Sequence, residues 1–117
     1  MTDRPNAAEC LFCKIAAHEI ASRIVLEDDD VVAFHDVNPM APLHVLVIPK
    51  RHVGSIADAD AGVIGKIGTA AARIASDAGY AERGYRVVAN VGPDAGQTVR
   101  HLHFRVLAGR HLGWPPG

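Results

Sequence analysis

Polar and apolar residues alternate without a break through His101-Leu102-His103-Phe104-Arg105-Val106-Leu107. A period of two marks an extended chain, and it predicts a strand over Val99–Ala108 with His101, His103 and Arg105 on one face. Shorter apolar runs predict strands over Arg23–Glu27, Val31–His35, His44–Ile48 and Tyr85–Asn90. The acidic turn Asp28-Asp29-Asp30 and the loop Val37–Leu43 separate the first three. Between Ala59 and Ala78 the period changes. Val63, Ile67, Ala70, Ile74 and Ala78 recur at helical spacing and predict one long helix, with Asp58 or Asp60 as its cap and Gly79 as its stop. Gly65 and Gly68 lower its intrinsic helix propensity. A short helix is expected over Cys10–Ala17. The connection Val91–Thr98 is rich in glycine and turn formers. Short helix, three strands, long helix and two strands make an α+β meander rather than a doubly wound sheet.

A chain of 117 residues is one domain, here expected over residues 9–117 behind a flexible polar tail, residues 1–8. The net charge of −1 and the lack of a basic run argue against nucleic acid or an anionic membrane as partner. No apolar stretch approaches the roughly 20 residues of a membrane span. No basic segment followed by an apolar block opens the chain, so a cytoplasmic, reducing compartment is expected. Cys10 and Cys13 are then not expected to form a structural disulfide.

Two histidines and an arginine on one strand face suit an anion or a metal. Imidazole can ligate a metal, attack phosphorus or shuttle a proton, and guanidinium grips phosphate oxygens in a fork. Cys10-x-x-Cys13 admits three readings: metal ligands with His52 and His101, a redox pair, or two small buried apolar groups. His44, at a strand start, reads alone as a packed or surface residue. Asp36, at a strand end, reads alone as a turn cap. In Asn90-Val-Gly-Pro-Asp-Ala-Gly-Gln-Thr98, Gly92 and Gly96 let backbone N–H groups approach an anion, while Gln97 and Thr98 add donors. A plain hairpin connection is the other reading of that loop.

The alternating stretch resembles the His-φ-His-φ-His-φ-φ signature (φ apolar) of the histidine-triad, or HIT, superfamily, with Arg105 in place of the third histidine. The resemblance extends through Cys10-Leu-Phe-Cys13, Glu27-Asp-Asp-Asp30, Phe34-His-Asp-Val-Asn-Pro39, Ala41-Pro-Leu-His44 to His52, and Asn90 to Thr98. The tail Gly109-Arg-His-Leu-Gly-Trp-Pro-Pro-Gly117 is similar to that of the Hint branch, the nucleoside phosphoramidases. This resemblance implies a HIT-like fold: a five-stranded antiparallel sheet with one long and one short helix, paired into a homodimer whose ten-stranded sheet is continuous. It implies a purine nucleotide or nucleoside phosphoramidate or adenylate as partner. The reaction implied removes an amine, acyl or phosphoryl group from the α-phosphate through a nucleotidyl-histidine. His103 would be the nucleophile and His44 would serve proton traffic. Arg105 and Thr98 would meet the charge. Asp36 would take the ribose hydroxyls. Phe12, Phe34 and Val37, with Leu11, Ile15 and Ile24, would line the base pocket, and Asn90, Gly96, Gln97 and Thr98 the phosphate cradle. Cys10, Cys13, His52 and His101 would hold a structural zinc, with no catalytic metal. Trp114 would anchor against the neighbouring subunit. Arg105 also raises the alternative of a non-catalytic nucleotide-binding dimer.

Overall fold

The computed structural model describes residues 9–117, and the tail expected over residues 1–8 lies outside them. Helix α1 (Leu11–Ala16) is followed by strands β1 (Ile24–Glu27), β2 (Val31–His35) and β3 (Leu43–Pro49), helix α2 (Ala61–Asp77), and strands β4 (Arg86–Ala89) and β5 (Phe104–Ala108). The sheet has five strands in the order β1-β2-β3-β5-β4, every pair antiparallel. This is the α+β HIT-like arrangement the sequence led us to expect.

Both faces of the sheet are covered. On one, Ile67, Ala71, Ile74 and Ala75 of α2 pack against Val45, Val47, Phe104 and Val106. On the other, Phe12 and Ile15 of α1 pack against Val32, Phe34, Leu46 and Ile48. Strand β3 is central and buried along its whole length. A strand covered on both sides needs no polar face, which is why its sequence reads as an almost continuous apolar run.

The ends of the elements differ from the pattern-based expectations for local reasons. Helix α2 starts at Ala61 because the Asp60 carboxylate accepts the Val63 N–H at 2.9 Å. Asp58 instead closes a 3₁₀ turn, Ile56–Asp58, capped by Ser55. At the other end Gly79 (φ +90°) allows paired bonds, Gly79 N–H to Ser76 O at 2.9 Å and Tyr80 N–H to Ala75 O at 2.9 Å, that satisfy terminal carbonyls. Cys10 caps α1 with its sulfur, which accepts the Cys13 N–H. The largest correction concerns the last strand. It joins the ladder at Phe104, not at Val99. The segment ahead keeps the alternation, with Leu102 facing the α2 core, but bonds elsewhere: the Leu102 N–H goes to Val53 O at 2.6 Å and the His101 carbonyl to the ring of His103.

No helix among the described residues is long and apolar enough to cross a membrane.

Gly109, just after β5, has φ +98°, and a Cβ there would lie 2.7 Å from Pro42 Cβ and 2.9 Å from Tyr80 Oη. Left-handed strain and overpacking act together, so Gly109→Ala should lose on the order of 3 kcal/mol of stability. Urea denaturation checks this, and a loss under about 0.5 kcal/mol would contradict it.

Candidate functional site

A cavity of about 280 Å³ opens on the α1 side of the sheet. Phe12 and Ile15 of α1, Phe34 of β2 and Leu46 of β3 form apolar walls. Asp36, Thr98, His103 and Arg105 supply its main polar groups. Leu11 and Val37 also border it, and Val37 is almost fully exposed. Ile24, expected in the pocket, does not line it. Ile20, Ala21 and Ser22 do, without any signal in the residue pattern: they belong to an irregular link with neither helical nor strand period. A small, largely apolar cavity with a few convergent polar groups is the usual form of a small-molecule site.

His103 is buried in its wall. Its Nδ1 lies 2.8 Å from the His101 carbonyl oxygen, which can only accept, so Nδ1 carries the proton and Nε2 the lone pair. The Phe12 ring stands edge-on to the imidazole, 5.1 Å away at 89°. Burial holds the His103 pKa below the ordinary imidazole value. The Arg105 charge pushes the same way but less, while the His101 carbonyl and Asp36 pull back. His103 is therefore a neutral imidazole whose Nε2 has no hydrogen bond among the described residues.

His44 is also buried but does not line the cavity. Its Nδ1 accepts the Met40 N–H at 3.0 Å, so the proton sits on Nε2, 3.4 Å from Asp36 Oδ2. Burial again lowers its pKa, opposed by Asp36. The same Asp36 oxygen lies 3.8 Å from Arg105 Nη1, and Asp36 Oδ1 accepts the Asn38 N–H. Asp36 thus stands between a neutral histidine and a guanidinium.

Of the expected phosphate cradle, Thr98 alone borders the cavity. Gln97 is fully engaged as a brace: Oε1 accepts the Gly92 N–H at 3.0 Å, and Nε2 donates to Gly54 O at 2.8 Å and Val99 O at 3.1 Å. The Gly96 N–H is bonded to Pro93 O at 3.0 Å. Asn90 Nδ2 donates to Ala95 O at 2.7 Å and Asn90 Oδ1 accepts from Arg105 Nε at 3.1 Å.

Behind the cavity, Cys10, Cys13, His52 and His101 come together, with one ligand atom from each lying within 4.8 Å of all the others. His101 Nδ1 is 3.4 Å from each sulfur, and His52 Nδ1 is 3.2 Å from Cys13 Sγ. A tetrahedral ion with ordinary bond lengths to sulfur and nitrogen needs edges of about 3.5 Å, so the four groups can hold a metal ion with little movement. His101 is oriented for it, because its Nε2–H donates to Pro49 O at 2.7 Å and leaves Nδ1 facing the thiols. Burial and the neighbouring Cys10 push the Cys13 thiol up to about 12, so a cation would have to displace its proton. Both cysteines are free thiols.

A HIT domain model matches residues 17–112. The chain belongs to the HIT family. It is 44% identical over 110 residues to the purine nucleoside phosphoramidase of Escherichia coli, covering 92% of each chain. An uncharacterised HIT-like protein of Synechococcus elongatus is 46% identical over 112 residues, 93% of this chain and 97% of its own. Among solved structures, the HIT family hydrolase of Legionella pneumophila superimposes with a TM-score of 0.91 at 44% identity, over 93% of this chain and all of its own. A histidine triad protein of Clostridium difficile gives 0.85 at 45% identity, over 90% and 94%. The HIT fold brings His103, Arg105, Asp36 and Thr98 to one cavity and sets the cysteine–histidine cluster behind it.

Burial gives this HIT protein a defined acid response. Metal-free and folded, His101 has a pKa pushed down to about 4, whereas the unfolded chain regains an ordinary histidine. The unfolded state then binds more protons between those values, so stability is complete above about pH 7 and falls as pH drops towards 4. Urea melts in chelator should show a loss on the order of 3 kcal/mol from His101 alone between pH 7 and pH 4, with His44 and His103 adding in the same direction. A flat profile over that window would refute this account of the buried imidazoles.

Proposed function

We propose that this HIT protein hydrolyses purine nucleoside monophosphate derivatives, releasing an amine, acyl or phosphoryl group from the α-phosphate. The observation that carries the proposal is His103 Nε2: on a neutral ring, without a hydrogen bond among the described residues, and set in an apolar cavity beside Arg105 and Thr98. In the first step the Nε2 lone pair attacks phosphorus in line. A P–N bond forms and the bond to the leaving group breaks, with its electron pair going to that group; an amine takes up a proton from solvent as it departs. Water then attacks the same phosphorus and gives up a proton to solvent, the P–N bond breaks, and its electron pair returns to Nε2. Two easier displacements replace one hard one. Arg105 and the Thr98 hydroxyl donate to the phosphoryl oxygens as charge builds. The apolar walls take the base, and Asp36 faces the ribose. His44 lies behind Asp36, so its part in proton traffic runs through that carboxylate. The name of the E. coli relative supports this substrate class.

We also propose that Cys10, Cys13, His52 and His101 hold zinc, as the donor set and its spacing suit that ion. Four protein ligands leave no position for substrate, so the ion would stiffen the wall behind the cavity, and a reducing compartment would keep the thiols available. The chain would act as a homodimer. β4 is an edge strand with Val87 exposed, as is Tyr85 just ahead of it, and Trp114 is 85% exposed, so among the described residues it docks on no surface of its own subunit.

A second reading is favoured by Arg105 itself. Guanidinium does not give up its proton, and a site with arginine in this place can bind nucleotide without turning it over. The two readings separate on kinetics. His103→Ala should reduce kcat/KM by about 10³ or more while leaving nucleotide affinity largely intact. Wild type should favour adenylates, whose leaving group departs unprotonated, over alkyl phosphoramidates, and Arg105→His should raise the phosphoramidate rate selectively. If wild type turns over neither substrate yet binds a nucleoside monophosphate, the non-catalytic reading holds. Elemental analysis of chain purified without chelator should find close to one zinc per chain, and an unchanged melting temperature after chelation would count against the zinc site.

A further inference from the structure

The family resemblance puts Asn90 among residues that touch ligand, yet both heteroatoms of its amide are engaged within the protein. Oδ1 accepts from Arg105 Nε at 3.1 Å, and Nδ2 donates to Ala95 O at 2.7 Å. Asn90 does not line the cavity, and Arg105 does. We propose that Asn90 is a positioning residue for Arg105: it aims the guanidinium so that a fixed donor edge meets a tetrahedral anion, the α-phosphate of the proposed substrate. This inference rests on the nucleotide reading above.

Arginine has a long flexible stem, and its value in an anion site depends on holding one orientation. Here a planar group has two partners on different nitrogens. Asn90 takes Nε, and Asp36 Oδ2 lies 3.8 Å from Nη1. Because the group is planar, the hydrogen bond at Nε sets its orientation, and the Asp36 carboxylate, too far for a hydrogen bond, adds only an electrostatic bias. Among the described residues, Nη2 has no protein hydrogen bond and remains available as a donor pair. Asn90 is itself well anchored. It directly follows β4, where Ala89 pairs with Phe104 and Val88 with Arg105, so its side chain starts one residue beyond the strand that is ladder-bonded to the strand of Arg105. The bond to Ala95 ties the same amide to the glycine-rich loop, which Gln97 braces from its other end. An amide also suits this place chemically. It accepts from Nε without adding a negative charge, so the cationic character that attracts a phosphate is preserved; a carboxylate would cancel more of it.

The competing explanation is that Asn90 only braces the loop. A double-mutant cycle read by calorimetry separates the two. The probes are AMP and adenosine, which differ by the phosphate alone, and the variants are Asn90→Ala, Arg105→Gln and the pair. If Asn90 acts through Arg105, Asn90→Ala should weaken AMP binding about tenfold and leave adenosine within about twofold. Arg105→Gln should cause a similar loss, and adding Asn90→Ala to it should change AMP affinity less than about twofold. Asn90→Ser, whose hydroxyl is too short to hold both partners, replaces Asn90→Ala if the latter does not fold. Equal losses for AMP and adenosine would show a loop brace and overturn the proposal, as would losses that simply add. Wild type that binds neither probe overturns both this inference and the nucleotide reading. AMP binding with an additive cycle overturns this inference alone.

Discussion

The hydrogen bond from His103 Nδ1–H to the carbonyl of His101 is the constraint around which the site is built. It selects one tautomer and leaves Nε2 as the free nitrogen. It also turns a backbone carbonyl away from sheet pairing, which is one reason the ladder of β5 opens only at Phe104. The residue lending that carbonyl, His101, presents its own Nδ1 to the two thiols. A single short segment therefore belongs both to the cavity and to the cysteine–histidine cluster. Helix α1 joins them a second time: Cys10 and Cys13 face the cluster, and Phe12 between them touches the rings of His101, His103 and Phe34.

Electrostatics in the cavity follow from how few charges it contains. Desolvation keeps His44 and His103 neutral. Arg105 brings a permanent cation, and Asp36 offsets part of it from 3.8 Å. A phosphate in the cavity would meet a guanidinium, a hydroxyl and a neutral imidazole, a balance that would suit an anion without placing a full positive charge on the nitrogen proposed to attack it.

Much of this was legible in the residues. Alternation through His101–Leu107 correctly sorted side chains between the α2 core and the opposite face, because it reports which way a side chain points. It could not report where pairing begins, since that depended on the His103 ring competing for a carbonyl. Helical spacing found α2, but choosing between Asp58 and Asp60 needed the 3₁₀ turn that uses Asp58. The C-x-x-C and the distant His52 and His101 do converge. Ile20, Ala21 and Ser22 were invisible as pocket residues because an irregular link has no period to read. For Asn90 and Gln97 the residue types signalled hydrogen bonding, while the choice between ligand and protein partners lay in contacts far along the chain.

Strand β3 carries His44 near its start and ends at Pro49, whose carbonyl holds His101. Paired on both edges and buried on both faces, it works as a ruler of about 17 Å between the proton-bearing imidazole behind Asp36 and the cysteine–histidine cluster. Along such a ruler nothing can be adjusted locally. A single inserted residue would reverse the facing of every side chain beyond it and move the Pro49 carbonyl from its imidazole. The spacing from His44 to Pro49 is therefore as much a part of the chemistry as the histidines are, and a lineage could alter cavity or cluster by substitution but not by changing the length of the strand between them.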